Sequence, residues 1–237
     1  ARYSPYVYSI DDPINYYDTD GEIIRDKKGN IVFIPIEDGV MNHGADKEGA
    51  KGTFGFIYTN DGTAIMVFKN KSSKKGFDTD CHGQTFTKGK YWINNSEVRK
   101  ILKGDGYKKI KKSEIKKGDI VIYTDGKDGV EDSRVVVVID PTTGEIKVYG
   151  QGGLEEENYE SGIDEAWESD GQEYYRKTQK DRVVDDQSIA AMKKKIQKMV
   201  DDEKKKAASE KKKEQEKKKA EEKKKDEEKK KTNSLNT

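Results

Sequence analysis

Between Asp201 and Ser234 no apolar side chain is larger than alanine, so any core this chain builds must come from its first 200 residues. From Asp201 to Lys231 there are 15 lysines against 11 acids, which leaves 32 basic and 35 acidic groups elsewhere. The net charge of +1 is thus a basic tail on a slightly acidic body. This segregation is what permits a fold, because 39% charged and 31% hydrophobic residues spread evenly would bury too little apolar surface to offset chain entropy. Pairs such as Glu214 with Lys218 and Glu221 with Lys225 suit a solvated helix. Acids interleave with the lysines and no aromatic is available to insert or stack, so the tail is expected to bind neither membrane nor nucleic acid. Just upstream, Ile189, Met192, Ile196 and Val200 form one apolar stripe on a helix begun near Asp186 or Ser188, which is expected to dock on the body.

The body reads as mixed α and β. Glu22 to Arg25 and Ile31 to Ile36 flank Lys28-Gly29-Asn30, and Phe54 to Thr59 and Thr63 to Lys69 flank Asn60-Asp61-Gly62, predicting two hairpins. Val98, Ile101 and Leu102, with Asn94-Asn95-Ser96 before them and Gly104 after, predict a short helix. Three antiparallel strands are expected at Gly118 to Tyr123, Val135 to Ile139 and Ile146 to Tyr149, with the all-apolar middle one covered on both faces. Beyond Trp167 regular structure is expected to weaken until Ile189. No run approaches the 18 or more apolar residues of a membrane span, and Arg2-Tyr3-Ser4-Pro5-Tyr6 lacks the pattern of a signal peptide, so this piece is not expected to export itself.

Residues 1–30 are rich in Tyr, Asp, Pro and Gly and read as a connector. The string Arg2 to Gly21, RYSPYVYSIDDPINYYDTDG, resembles the closing segment of Bacteroidetes Rhs-repeat proteins. The matching residues are Arg2, Tyr3, Pro5, Tyr6, Asp11, Pro13, Ile14, Asp18, Asp20 and Gly21, and Asp12 departs from the expected Asn. The resemblance implies that a variable toxin tip follows, secreted into a target bacterium, with the Rhs shell and a cognate immunity protein as partners. It implies nothing about the chemistry.

The only cysteine, Cys81, excludes an internal disulfide and a multi-cysteine zinc site. Its surroundings, Asp80-Cys81-His82-Gly83-Gln84-Thr85-Phe86, then Tyr91-Trp92-Ile93-Asn94 and Gly118-Asp119-Ile120-Val121-Ile122-Tyr123, resemble the papain-like amidases of the NlpC and CHAP kind over roughly residues 77–153. That resemblance implies an α+β fold with a cysteine-bearing helix on an antiparallel sheet, here with N-terminal hairpins and a charged C-terminal helix. The division follows as a connector at 1–30, a papain-like domain at 31–185 and a helical tail at 186–237. A helix N-terminus lowers a thiol pKa, a nearby imidazole stabilises the thiolate, and small Gly83 allows close packing behind the nucleophile.

The imidazole is missing where the resemblance requires it. The strand opening reads Val130-Glu131-Asp132-Ser133-Arg134, with Asp132 at the histidine position, and a carboxylate is a weak base that repels a thiolate. The chain is therefore expected to be inactive as written, through an inactivating histidine-to-aspartate change or natural degeneration. His82 adjoins the cysteine and is poorly placed to act on it, while His43 is the remaining base candidate. Gln151, and after it Tyr149, are candidates for the third polar member. No cofactor and no metal is expected, since two His and one Cys at these spacings fit no familiar ligand pattern. The expected activity is a cysteine amidase or peptidase acting on peptidoglycan peptides in the periplasm. The alternatives are a cytosolic protease, deamidase or acyltransferase acting on a target-cell protein, and a non-catalytic binding module. The absence of an H-x-E with P-C-x-x-C and of a phosphate-binding Gly loop disfavours a deaminase, a nuclease and a nucleotide-binding enzyme.

Overall fold

The computed structural model describes residues 24–41, 49–72, 78–127, 129–151, 158–206 and 208–210. The connector string Arg2 to Gly21, His43 and the tail beyond 210 lie outside the described residues. The strands are β1 (Ile24–Arg25), β2 (Ile34–Met41), β3 (Ala50–Tyr58), β4 (Ala64–Asn70), β5 (Trp92–Ile93), β6 (Tyr107–Ile110), β7 (Ile120–Thr124), β8 (Val130–Ile139), β9 (Ile146–Gln151), β10 (Asn158–Gly162), β11 (Gly171–Lys177) and β12 (Arg182–Val183). The helices are α1 (Cys81–Thr87), α2 (Asn95–Gly104) and α3 over residues 186–206. The fold is mixed α+β with antiparallel sheets: a four-stranded one ordered β2-β3-β4-β5 and a six-stranded one ordered β10-β9-β8-β7-β11-β6. No helix among the described residues is long and apolar enough to cross a membrane.

Period-two alternation explains how the four-stranded sheet is covered on both faces. Ile57, Ile65 and Val67 join Phe86 of α1, Val98, Ile101 and Leu102 of α2, and Ile120, Ile122 and Val130 of the larger sheet in one shared core. Phe56 and Tyr58, on the other parity, pack with Ile24, Val184 and the Met192, Ile196 and Val200 stripe of α3. The outer face of the six-stranded sheet, carrying Val121, Tyr123, Val136 and Val148, is covered by Ile163 and Ala166.

The hairpin around Asn60-Asp61-Gly62 forms as β3 and β4. The earlier one does not: only an isolated bridge, Arg25↔Ile31, remains, and Ile34–Met41 pairs with β3 instead. Asp26 closes that turn by accepting from the backbone N–H of Lys28 and Asn30, which leaves arms too short for a ladder, and Ile24 is drawn into the core beside Val184. β7, β8 and β9 are consecutive antiparallel neighbours, but the covered part of β8 is Val130 to Val136. Its apolar end runs out of the core, with Val138 42% exposed. The weak region after Trp167 contains β11, which inserts between β7 and β6; its sequence GQEYYRK buries no residue fully and so carries no hydrophobic alternation to detect.

Candidate functional site

Cys81 is the first residue of α1 and Asp80 is its N-cap, the Asp80 carboxylate accepting from the Gly83 N–H at 2.6 Å and the Ile93 N–H at 3.2 Å. Gly83 is required here. A Cβ at this position would lie 1.7 Å from the Tyr91 carbonyl oxygen and 2.2 Å from Thr79 Oγ1, so α1 can press against the β5 segment only without a side chain at 83.

On the facing strand, a bulge at Glu131 shifts register between Tyr123↔Asp132 and Thr124↔Val130, and bulges re-aim the side chains beside them. α1 packs against this strand, and the Asp132 charge acts on the Cys81 thiol. The two residues that the sequence singles out, 51 positions apart, are therefore brought together at one site. The third candidates fall on β9: Gln151 is buried at its end and Tyr149 is half-buried opposite Val135.

The polar group that grips Asp132 is one the sequence reading passed over. Arg134 Nε donates to Asp132 Oδ2 at 2.7 Å, and neither side chain is more than 1% exposed. Residues two apart on a strand share a face, so an Asp-x-Arg inside an apolar run was a legible signal. The guanidinium lies against Gly150, where a Cβ would stand 2.4 Å from Arg134 Cδ, and under the ring of Tyr159 at 4.9 Å. Its Nη1 is buried without a hydrogen-bond partner.

His82 is fully buried and holds the scaffold together. Its Nε2 lies 3.1 Å from Asn95 Oδ1 and its Nδ1 2.8 Å from Ser133 Oγ. Asn95 Nδ2 donates to the Val130 carbonyl at 2.7 Å, which turns Oδ1 towards the ring and fixes the proton on Nε2; Nδ1 then accepts from Ser133. Burial pushes the His82 pKa down to about 4, against the Asn95 hydrogen bond, so the ring is neutral near pH 7. Both nitrogens are engaged away from the thiol. His82 thus ties α1 to β8 and α2, while Thr85 Oγ1 adds a bond to the Ser133 carbonyl at 2.8 Å.

The electrostatics oppose a thiolate. Burial, then the charges of Asp132 and Asp80, push the Cys81 thiol well above its usual range. The helix N-terminus expected to lower it is outweighed, since α1 has only seven residues and two carboxylates flank its start. Burial raises Asp80 to about 7 and also raises Asp132, where the Arg134 guanidinium pulls the other way. Among the described residues no cluster of three or more His, Cys, Asp or Glu side chains could hold a metal ion. No family model, no curated protein and no solved structure matches this chain.

Proposed function

We propose that this chain is the toxin-bearing end of an Rhs-type secreted protein, built on a papain-like cysteine amide hydrolase scaffold directed at peptidoglycan peptides and silent as written. One observation supports the reading above the rest: Cys81 opens a helix packed on the strand that carries residue 132 near its start, close enough for the Asp132 charge to act on the thiol, which is the arrangement a thiol and its imidazole partner would need. With His at 132, the imidazole would take the thiol proton, sulfur would attack the amide carbon, and the imidazolium would pass its proton to the leaving amine as the C–N bond breaks; water then releases the acyl group. Asp132 cannot play the same part. It repels a thiolate and is committed to Arg134.

The test is to make Asp132→His and Asp132→His/Arg134→Met and to incubate each with peptidoglycan sacculi. Release of peptide fragments that Cys81→Ala abolishes supports the reading, and toxicity on export to the periplasm but not in the cytosol fixes the substrate in the wall. Toxicity confined to the cytosol would point to the protein-directed protease, deamidase or acyltransferase alternative. Inert variants in every assay would overturn the hydrolase assignment. A second reading, a non-catalytic binding module, is favoured by the built Asp132–Arg134 pair: Gly150 and Tyr159 accommodate the arginine, as in a site shaped around aspartate.

A further inference from the structure

α3 rests on the four-stranded sheet through Met192, Ile196 and Val200, but its packing is incomplete near its start. Ser188, Ala191 and Lys195 stand at helical spacing beside Met192 and line one cavity together with Gly62 of the β3–β4 turn. Gly62 has φ of 87°, a conformation that calls for glycine, so no side chain reaches in from the turn. With only Ser188 and Ala191 on the helix side, a space of about 140 Å³ stays open. A cavity of about 150 Å³ accommodates benzene, so there is room for one six-membered ring.

The lining is of two kinds. Ile24, Tyr58 and Met192 are buried and apolar, with an aromatic ring and a thioether among them. Arg182, which stands opposite Ile24 in the β1–β12 register, and Lys195 add two cations, and no Asp or Glu lines the cavity among the described residues. The neighbouring acids serve other groups: Asp181 is held by Arg25 and Lys177, Asp185 accepts from the Ser188 N–H at 2.8 Å, and Asp61 accepts from Thr59 Oγ1 at 2.6 Å. Arg182 and Lys195 also interact within the fold. A guanidinium has five N–H donors and an ammonium three, so such contacts orient the two side chains without using them up. Cavities that stay empty are apolar throughout, and this one is not.

We propose that this cavity binds a small aromatic carboxylate of benzoate size, with its ring against Ile24, Tyr58 and Met192 and its carboxylate on Arg182 and Lys195. The planar arginine fork matches a carboxylate, and Tyr58 and Met192 offer ring and sulfur contacts that favour an aromatic body. Bound there, the ligand touches β1, β12, the β3–β4 turn and α3 at once and clamps the helix to the body. None of the lining residues belongs to the core that seats α1, and the proposal is independent of the chemistry assigned to Cys81.

The test follows the methionine methyl signals of the full chain during titration with benzoate, and then with benzamide, acetate and benzylamine. Benzoate is expected to shift the Met192 methyl saturably, with a Kd of about 1 mM or tighter, and to raise the melting temperature. Benzamide and benzylamine should bind at least about tenfold more weakly for want of the carboxylate, and acetate for want of the ring. The combined Arg182→Gln/Lys195→Gln variant should lose at least about tenfold in benzoate affinity. Ala191→Leu fills the space from an exposed helix position, and should abolish binding with the melting temperature unchanged or raised. This variant keeps the test sound even if the double variant folds poorly. No saturable shift at Met192, benzamide binding as tightly as benzoate, or benzoate binding intact in Ala191→Leu would each overturn the proposal. So would stabilisation by Ala191→Leu in a chain that ignores benzoate, which would make the cavity a water-filled packing gap.

Discussion

Asp132 and Arg134 form an ion pair at 2.7 Å that is closed to solvent on every side. Such pairs contribute little net stability against an apolar substitute, yet removing one partner strands a buried charge at a cost of about 3–5 kcal/mol. Asp132→His alone should therefore destabilise the chain on that scale, and Asp132→His/Arg134→Met should recover most of the loss. Urea unfolding of the four members of the cycle measures the coupling. Additive single effects would mean that Arg134 is indifferent to residue 132.

The same pair controls Cys81. Asp132→Asn removes the carboxylate that faces the thiol and leaves the Arg134 charge nearby, so the thiol pKa should fall. Because the chain has one cysteine, iodoacetamide labelling reports on it alone. At pH 7 the variant should label at least about tenfold faster than the wild-type chain, the equivalent of one unit of pKa. Equal rates across pH 6 to 9 would show that burial alone silences the thiol.

Asp105, fully buried, accepts from the Asn60 N–H at 2.8 Å through Oδ1, while its Oδ2 and Asn60 Oδ1 lack hydrogen-bond partners. Burial raises its pKa to about 7. A carboxyl raised in the folded state contributes stability that is full below its unfolded value near 3.8 and is lost as pH climbs to about 7. Asp105→Asn removes that loss and brings an amide N–H₂ within the same group, so the variant should be the more stable by about 1–3 kcal/mol above pH 7, with the advantage shrinking towards pH 4. His82 contributes the opposite slope between 6.5 and about 4, so each comparison is made at matched pH. A pH-independent difference in melting temperature would contradict the assignment.

Truncation separates the two halves of the C-terminal helix. Met192, Ile196 and Val200 are buried, each worth about 1.5–3 kcal/mol, whereas of residues 201–206 and 208–210 all but the half-exposed Glu203 are exposed. Ending the chain after Val200 should leave the melting temperature within a few degrees, and ending it before Asp186 should lower it far more. A steep loss from the first cut would show that the tail carries load.

The sequence by itself determined the elements whose patterning is local. The β3–β4 hairpin, α2, the β7–β8–β9 meander and the α3 stripe each follow from turn residues or apolar spacing within a dozen residues. The resemblance to papain-like amidases, not any local pattern, is what linked Cys81 with Asp132. Only the tertiary structure decided what their site is electrically. The continuous buried stretch of β8 is the polar Asp132-Ser133-Arg134 while the far end of its valine run, from Val138, emerges into solvent, and β11 is an interior strand without an apolar pattern, because both are fixed by what packs over them. The thiol's high pKa, the neutral His82 clamp and the guanidinium seated against Gly150 likewise arise from burial and from charges brought together across the chain, and a pKa is set by surroundings in space.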